Sequence, residues 1–310
     1  MSSAKRALTD LLPLPNSNVK IPQLGFGIYQ SKPEVCVNSC STALRAGYRH
    51  IDSAQFYRNE TEMGVAARQS GIPRSELFLT TKILSAGGSP EKTYQKCLES
   101  VKKIGAEGES DSPGSPSYVD LFLIHSPSAG SAARKEMWQA LEKLEAEGRT
   151  KAIGVSNFGV GHIEELKEYA RIWPPHINQI EVSGAYPALK RLALLTFIFQ
   201  LHPWNQQRTI VDYCNEHKII IEAYCPLVRN QKAHDETLLS ISKKYDKTTA
   251  QVLIRYGLQK GWVSLPKSDT PSRIEANVDV YGFEIDDTDM TKLDDLDQGP
   301  AGAIVQAVKN

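Results

Sequence analysis

Short apolar runs alternate with stretches of helical period almost from one end of this chain to the other, and that alternation restricts the fold more than any other feature. Strands are predicted at Gln23–Gly27, Tyr48–Asp52, Leu77–Thr81, Val119–Ile124, Ala152–Val155, Ile177–Ile180, Ile219–Ala223 and Trp262–Leu265. Between them run apolar stripes spaced by three or four residues, such as Val37/Cys40/Leu44, Tyr94/Leu98/Val101, Met137/Leu141/Leu144 and Val252/Leu253/Tyr256, the spacing of one helix face. Repeated strand–helix units favour parallel strands over a meander, because each helix carries the chain back to the end where the last strand began. Eight such strands in 310 residues fit one closed (β/α)8 barrel of the TIM type, a single domain over 1–310.

Some segments fall outside the repeat. Two extra helices are predicted, Asp235–Lys244 and Thr288–Leu296. The first 20 residues carry two prolines and Asn16-Ser17-Asn18, which suits a short hairpin plugging the barrel floor. Gly105–Ser117 reads as a polar loop with no packing face.

Composition narrows the function. Lys+Arg and Asp+Glu both total 36, so no basic stripe points to nucleic acid or an anionic membrane surface. The five cysteines are odd in number and scattered, without the paired spacing of a metal site, and read as reduced thiols. Met1–Arg6 lacks the apolar core of a signal peptide and Val308-Lys309-Asn310 is no retention signal, so the expected compartment is the cytoplasm. Gly25-Phe26-Gly27 is not followed by a glycine at Gln30, which removes a Rossmann fingerprint, and no P-loop occurs.

A barrel of this kind assembles its site at the C-terminal ends of its strands. Asp52 closes the second predicted strand, Lys82 the third and His125 the fourth, with Tyr57 in the loop just after Asp52. An acid, an ammonium, an imidazole and a phenol thus converge on one end of the barrel. Singly, each has a plainer use as a helix cap, a surface pair or a structural histidine. Gly154-Val155-Ser156-Asn157-Phe158 also approaches the nucleophile elbow of a hydrolase, but the second glycine comes one place late, at Gly159.

The run GYRHIDSAQFYRNE at 47–60 resembles the signature of the aldo-keto reductases, fungal members included. The resemblance continues in order through Thr81-Lys82, Leu121–His125, Ile153–Phe158, Asn178–Glu181 and Leu265–Ser268, most of the chain. It implies an oxidoreductase that reduces an aldehyde or ketone with NADPH. Tyr57 would be the proton donor, Lys82 its activating cation, Asp52 the partner that positions Lys82, and His125 the group that orients the carbonyl. Such help is needed because a free phenol has a pKa of about 10. For the cofactor, the resemblance assigns Ser156, Asn157 and Gln179 to the nicotinamide carboxamide and Tyr224 to stacking on the ring. Pro226 and Leu227 fall beside the pyrophosphate, Lys267, Ser268 and Arg273 at the adenosine 2′-phosphate, and Asn277 at the adenine. Two cations and a hydroxyl suit a phosphate dianion and favour NADPH over NADH.

The chain departs from the family at several places. Ala276 stands where a glutamate is common, and Cys225 replaces the serine before Pro226-Leu227. Tyr29, Leu84 and Ser126 occupy pocket positions often filled by indole rings, so a different, roomier pocket is expected. The expected partner is a small carbonyl compound, and the expected state a monomer or weak homodimer. Because some members of the family serve mainly as binding partners, the alternative is a cofactor-binding regulatory subunit with little turnover.

Residues 182–200, VSGAYPALKRLALLTFIFQ, break the pattern. Joining Glu181 to Leu201 restores NQIELHPWNQQ, which resembles the family far better. The segment holds no acidic residue, and its apolar run Leu192–Phe199 is too short to span a bilayer. Val182-Ser183 can be encoded by a splice donor and Gln200 by an acceptor, which makes a translated intron the leading reading and a lineage-specific loop the other.

Overall fold

The computed structural model describes residues 7–105, 117–180 and 201–302. The anomalous segment 182–200 and most of the polar loop, 106–116, lie outside the described residues.

Two short antiparallel strands, β1 (Leu11–Pro13) and β2 (Lys20–Pro22), form the N-terminal hairpin, with Leu12 opposite Ile21. Eight parallel strands follow: β3 (Phe26–Gly27), β4 (His50–Asp52), β5 (Phe78–Ile83), β6 (Val119–Ile124), β7 (Thr150–Ser156), β8 (Ile177–Ile180), β9 (Ile220–Tyr224) and β10 (Val263–Leu265). They are hydrogen-bonded in chain order from β3 to β10. The stretch before β3 closes the circle: Gly25 N–H donates to Ser264 O at 2.9 Å, Ser264 N–H to Gln23 O at 2.9 Å, and Gly27 N–H to Pro266 O at 3.1 Å.

Helices α1 (Pro33–Arg45), α2 (Glu60–Gln69), α3 (Pro90–Gly105), α4 (Ser131–Ala146), α5 (Val160–Leu166), α6 (Arg208–Glu216), α7 (Glu236–Tyr245), α8 (Thr249–Gln259), α9 (Pro271–Ala276) and α10 (Asp287–Asp294) occur among the described residues. Their starts follow local chemistry. Pro33 opens α1, where a missing N–H costs nothing. The Asp235 carboxylate accepts the Leu238 N–H at 3.1 Å to cap α7. Thr248 and Gln251 cap α8 reciprocally. The two extra helices begin one residue from their predicted starts, with Asp235 and Asp286 as caps.

Strand alternation sorts the core into two layers. Phe122 and Ile124 pack outward among helix residues such as Met137, Trp138 and Leu141. Leu121 and Leu123 belong to an inner cluster with Ile177 and Val263, and there they meet Leu12, Leu14, Val19 and Ile21 of the hairpin. The hairpin is therefore the barrel floor, as expected. Leu123 is fully buried, and truncating such a side chain to alanine costs about 2–5 kcal/mol. Gly154 leaves room for close strand packing, since a Cβ there would sit 2.6 Å from Ile177 O.

Candidate active site

Four side chains from three neighbouring strand ends meet above this core. Lys82, buried in β5, donates from Nζ to Asp52 Oδ1 at 2.6 Å and to the carbonyl of Ser53 at 2.8 Å. Its ammonium lies 5.0 Å from the centre of the Tyr57 ring. Tyr57 ends a 3-10 turn, Gln55–Tyr57, and stands edge-on to the His125 ring with centroids 5.5 Å apart. Tyr29 flanks the phenol on another side at 4.9 Å.

The loop carrying Tyr57 is held by its own sequence. Ser53 Oγ donates to Asn59 Oδ1 at 2.8 Å, and Asn59 Nδ2 donates to the carbonyls of Ile28 and Ser31 at 2.8 and 3.1 Å. Arg58 takes a left-handed φ of 58°, which turns the chain into α2. His125 is tied down through its backbone: its N–H donates to Ile83 O at 2.8 Å and its carbonyl accepts from Asn157 Nδ2 at 3.0 Å.

Beneath the four, Asp52 and Gln179 join a buried polar network with Glu222, His50 and Thr80, which no sequence motif singled out. Gln179 Nε2 donates to Asp52 Oδ2 at 2.9 Å and to Glu222 Oε2 at 2.6 Å, so one amide bridges two carboxylates. His50 Nε2 lies 3.0 Å from Thr80 Oγ1 and 3.6 Å from Glu222 Oε1. Gly25 makes room for that imidazole, because a Cβ would come within 2.5 Å of His50 Nδ1. Burial, and then the charge of Asp52, push the Glu222 carboxyl up to about 8. Burial, and then the charge of Lys82, push His50 down to about 3. Near neutral pH both are uncharged, leaving Asp52 and Lys82 as a compensated pair in a dry interior. Signals did exist in the sequence: Glu222 interrupts Ile219-Ile220-Ile221 and Ala223, and His50 precedes Asp52 by two, the spacing of one strand face.

Above the site, two cavities meet. One, of about 310 Å³, is lined by Asp52, Tyr57, Tyr29 and Tyr224. The other, of about 450 Å³, is lined by Ser268, Arg273 and Asn277. Leu227, Arg229 and Lys267 border both, so the two adjoin, one at the phenol and the other at Arg273. Ser156, Asn157, Gln179 and Pro226 are buried at neighbouring strand ends, while Leu84 and Ser126 are half-buried and do not line either cavity. Lys267 is ion-paired with Asp269, which no sequence motif singled out.

These groups fit a nicotinamide dinucleotide. Gln179 Oε1 and the Tyr224 hydroxyl are buried without a hydrogen-bond partner among the described residues, at the end where a carboxamide and its ring would lie. Lys267 and Arg273 stand at the far end, where a phosphate would lie. The described residues contain no cluster that could hold a metal ion, and none of their helices is long and apolar enough to cross a membrane.

Known proteins resemble the chain over most of its length. The model of the Aldo/keto reductase family matches residues 23–298, and the chain belongs to that family. It is 41% identical over 287 residues to an oxidoreductase of Schizosaccharomyces pombe, covering 91% of this chain and 92% of that one. It is 36% identical over 293 residues to the glyoxal reductase of Bacillus subtilis, covering 94% of each. Among solved structures, an aldo/keto reductase from Brucella melitensis superposes with a TM-score of 0.80 at 37% identity, covering 93% of this chain and 99% of that one.

Proposed function

We propose that this protein reduces a small aldehyde or ketone to the alcohol, with NADPH as hydride source and Tyr57 as proton donor. The observation that carries the reading is the buried Lys82–Asp52 pair placed 5.0 Å from the Tyr57 ring at the wall of the cleft. When bound, the cofactor supplies the hydride. Negative charge then develops on the substrate oxygen, and the Tyr57 Oη–H bond breaks as the new O–H bond forms. Lys82 favours the phenolate that this leaves, and Asp52 holds Lys82 in place against the pull of that charge. His125, edge-on to the phenol, orients the carbonyl and stabilises its oxygen.

Gln179 Oε1 and Asn157 are the groups suited to a carboxamide, Tyr224 to the ring, Pro226, Leu227 and Arg229 to the pyrophosphate side, and Asn277 to the adenine. Lys267, Ser268 and Arg273 suit a 2′-phosphate, which supports NADPH. Tyr29 walls the substrate end, and Leu84 and Ser126 are taken as pocket residues on the family resemblance alone. Five free cysteines, four of them buried, are in keeping with a reducing cytoplasm. Ser156 suits a hydrolase poorly: it is fully buried, and its Oγ accepts from Asn157 Nδ2 at 3.0 Å, whereas an elbow nucleophile must be exposed.

A panel of small dicarbonyls, aldehydes and ketones assayed by NADPH absorbance tests the reading. Wild type should turn some of them over, and Tyr57→Phe should lose at least about 100-fold in kcat while binding NADPH nearly as well. Equal turnover by the two proteins would refute it.

A further inference from the structure

Lys267 and Arg273 both face the distal cavity, but they are not equivalent. Asp269 pairs with Lys267 Nζ through Oδ2. Its Oδ1 accepts hydrogen bonds from Ser31 Oγ at 2.6 Å and Ser39 Oγ at 2.9 Å, groups from the far end of the chain at the barrel seam. Both carboxylate oxygens are thus occupied, and the lysine is drawn toward α1. Burial raises this carboxyl, but Lys267 and the two hydroxyls outweigh it and hold it below the ordinary carboxylate range. It remains ionised at neutral pH.

The consequence for an anion is direct. Arg229, Lys267 and Arg273 border the distal cavity with three positive charges, and Asp269 offsets that of Lys267. A 2′-phosphate must either draw Lys267 away from its partner or do without that lysine. A ribose 2′-hydroxyl is uncharged and has no such need of it.

We propose that Asp269 is a specificity-determining residue, which restrains Lys267 from the 2′-phosphate and so narrows the preference for NADPH, with NADH used alongside it. This rests on the assignment of the distal cavity to the adenosine end of the cofactor.

The test uses fragments of that end, 2′,5′-ADP and 5′-AMP, titrated calorimetrically into the full-length protein. Asp269→Asn keeps the shape and the acceptor for both serines. It should tighten 2′,5′-ADP about tenfold, leave 5′-AMP unchanged, and move the kcat/KM ratio about tenfold toward NADPH. Asp269→Ser, which removes the charge differently, should act in the same direction. In a Lys267→Met background most of the gain should vanish, since it acts through that lysine. Parallel changes for the two nucleotides, or no change for 2′,5′-ADP, overturn the role of Asp269. Failure of wild type to bind either nucleotide removes the cavity assignment and the proposal with it.

Discussion

Replacing Glu222 by glutamine should make the protein more stable, by an amount that grows with pH. In the folded chain Glu222 releases its proton only near pH 8, because it is fully buried and faces Asp52, whereas its ordinary value is 4.5. Between those values the folded state binds more protons than the unfolded one, so stability falls as pH rises. At about 1.4 kcal/mol per unit, the full loss is on the order of 3–5 kcal/mol once the pH exceeds 8. His50 acts in the opposite sense. It is pushed from 6.5 to about 3, so its contribution to stability rises between those values and is complete above them. Glu222→Gln keeps the acceptor for Gln179 Nε2 and abolishes the titration. Urea unfolding of both proteins from pH 5 to pH 9 should therefore give a stability difference that widens through the neutral range, with His50 cancelling between them. Asp52→Asn, which removes the second cause of the shift, should move the wild-type decline to lower pH. A difference between Glu222→Gln and wild type that stays constant across this range would refute the argument.

Two further outcomes are expected. Arg273→Ala should weaken NADPH by about one to two decades and NADH far less, because a charge-assisted phosphate contact is worth about 1.5–3 kcal/mol; equal losses in fluorescence titrations would count against the site. Deleting Val182–Gln200 should raise soluble yield and turnover, since Ile180 and Leu201 on either side are buried, and an uncovered apolar run promotes aggregation. A full-length form that is as soluble and reduces carbonyls faster would show that the segment is a functional loop, and transcript sequencing tests its origin.

Most of the barrel was legible because its strands are short apolar runs at regular intervals. The boundaries were less so. Predicted Gln23–Gly27 pairs as a regular strand only at Phe26–Gly27, although its earlier residues do bond to Ser264 and close the ring. Thr150–Lys151 and Lys82–Ile83 extend their strands beyond the apolar run, because backbone pairing continues where side-chain hydrophobicity stops. At the site, Asp52, Tyr57, Lys82 and His125 could be found from their positions at strand ends. Glu222 and Asp269 could not be assigned so easily. Each owes its importance to partners distant in sequence, Gln179 and His50 for one, Ser31 and Ser39 for the other, and local pattern carries no record of such pairings.

The seam between the stretch before β3 and β10 also imposes an order on biosynthesis. Asp52, Tyr57, Lys82 and His125 are all present once residue 125 has been translated, but Lys267, Ser268 and Arg273 leave the ribosome nearly last. Only then can Ser264 and Pro266 bond to the start of the barrel and bring their loop beside Ser31. A nascent chain therefore carries all four of the proposed catalytic groups long before it can build the far end of the cleft, and no truncated product that stops short of β10 can form both halves of the proposed site. Ring closure by such distant segments is also slow, which leaves the edge of the growing sheet unpaired until β10 arrives.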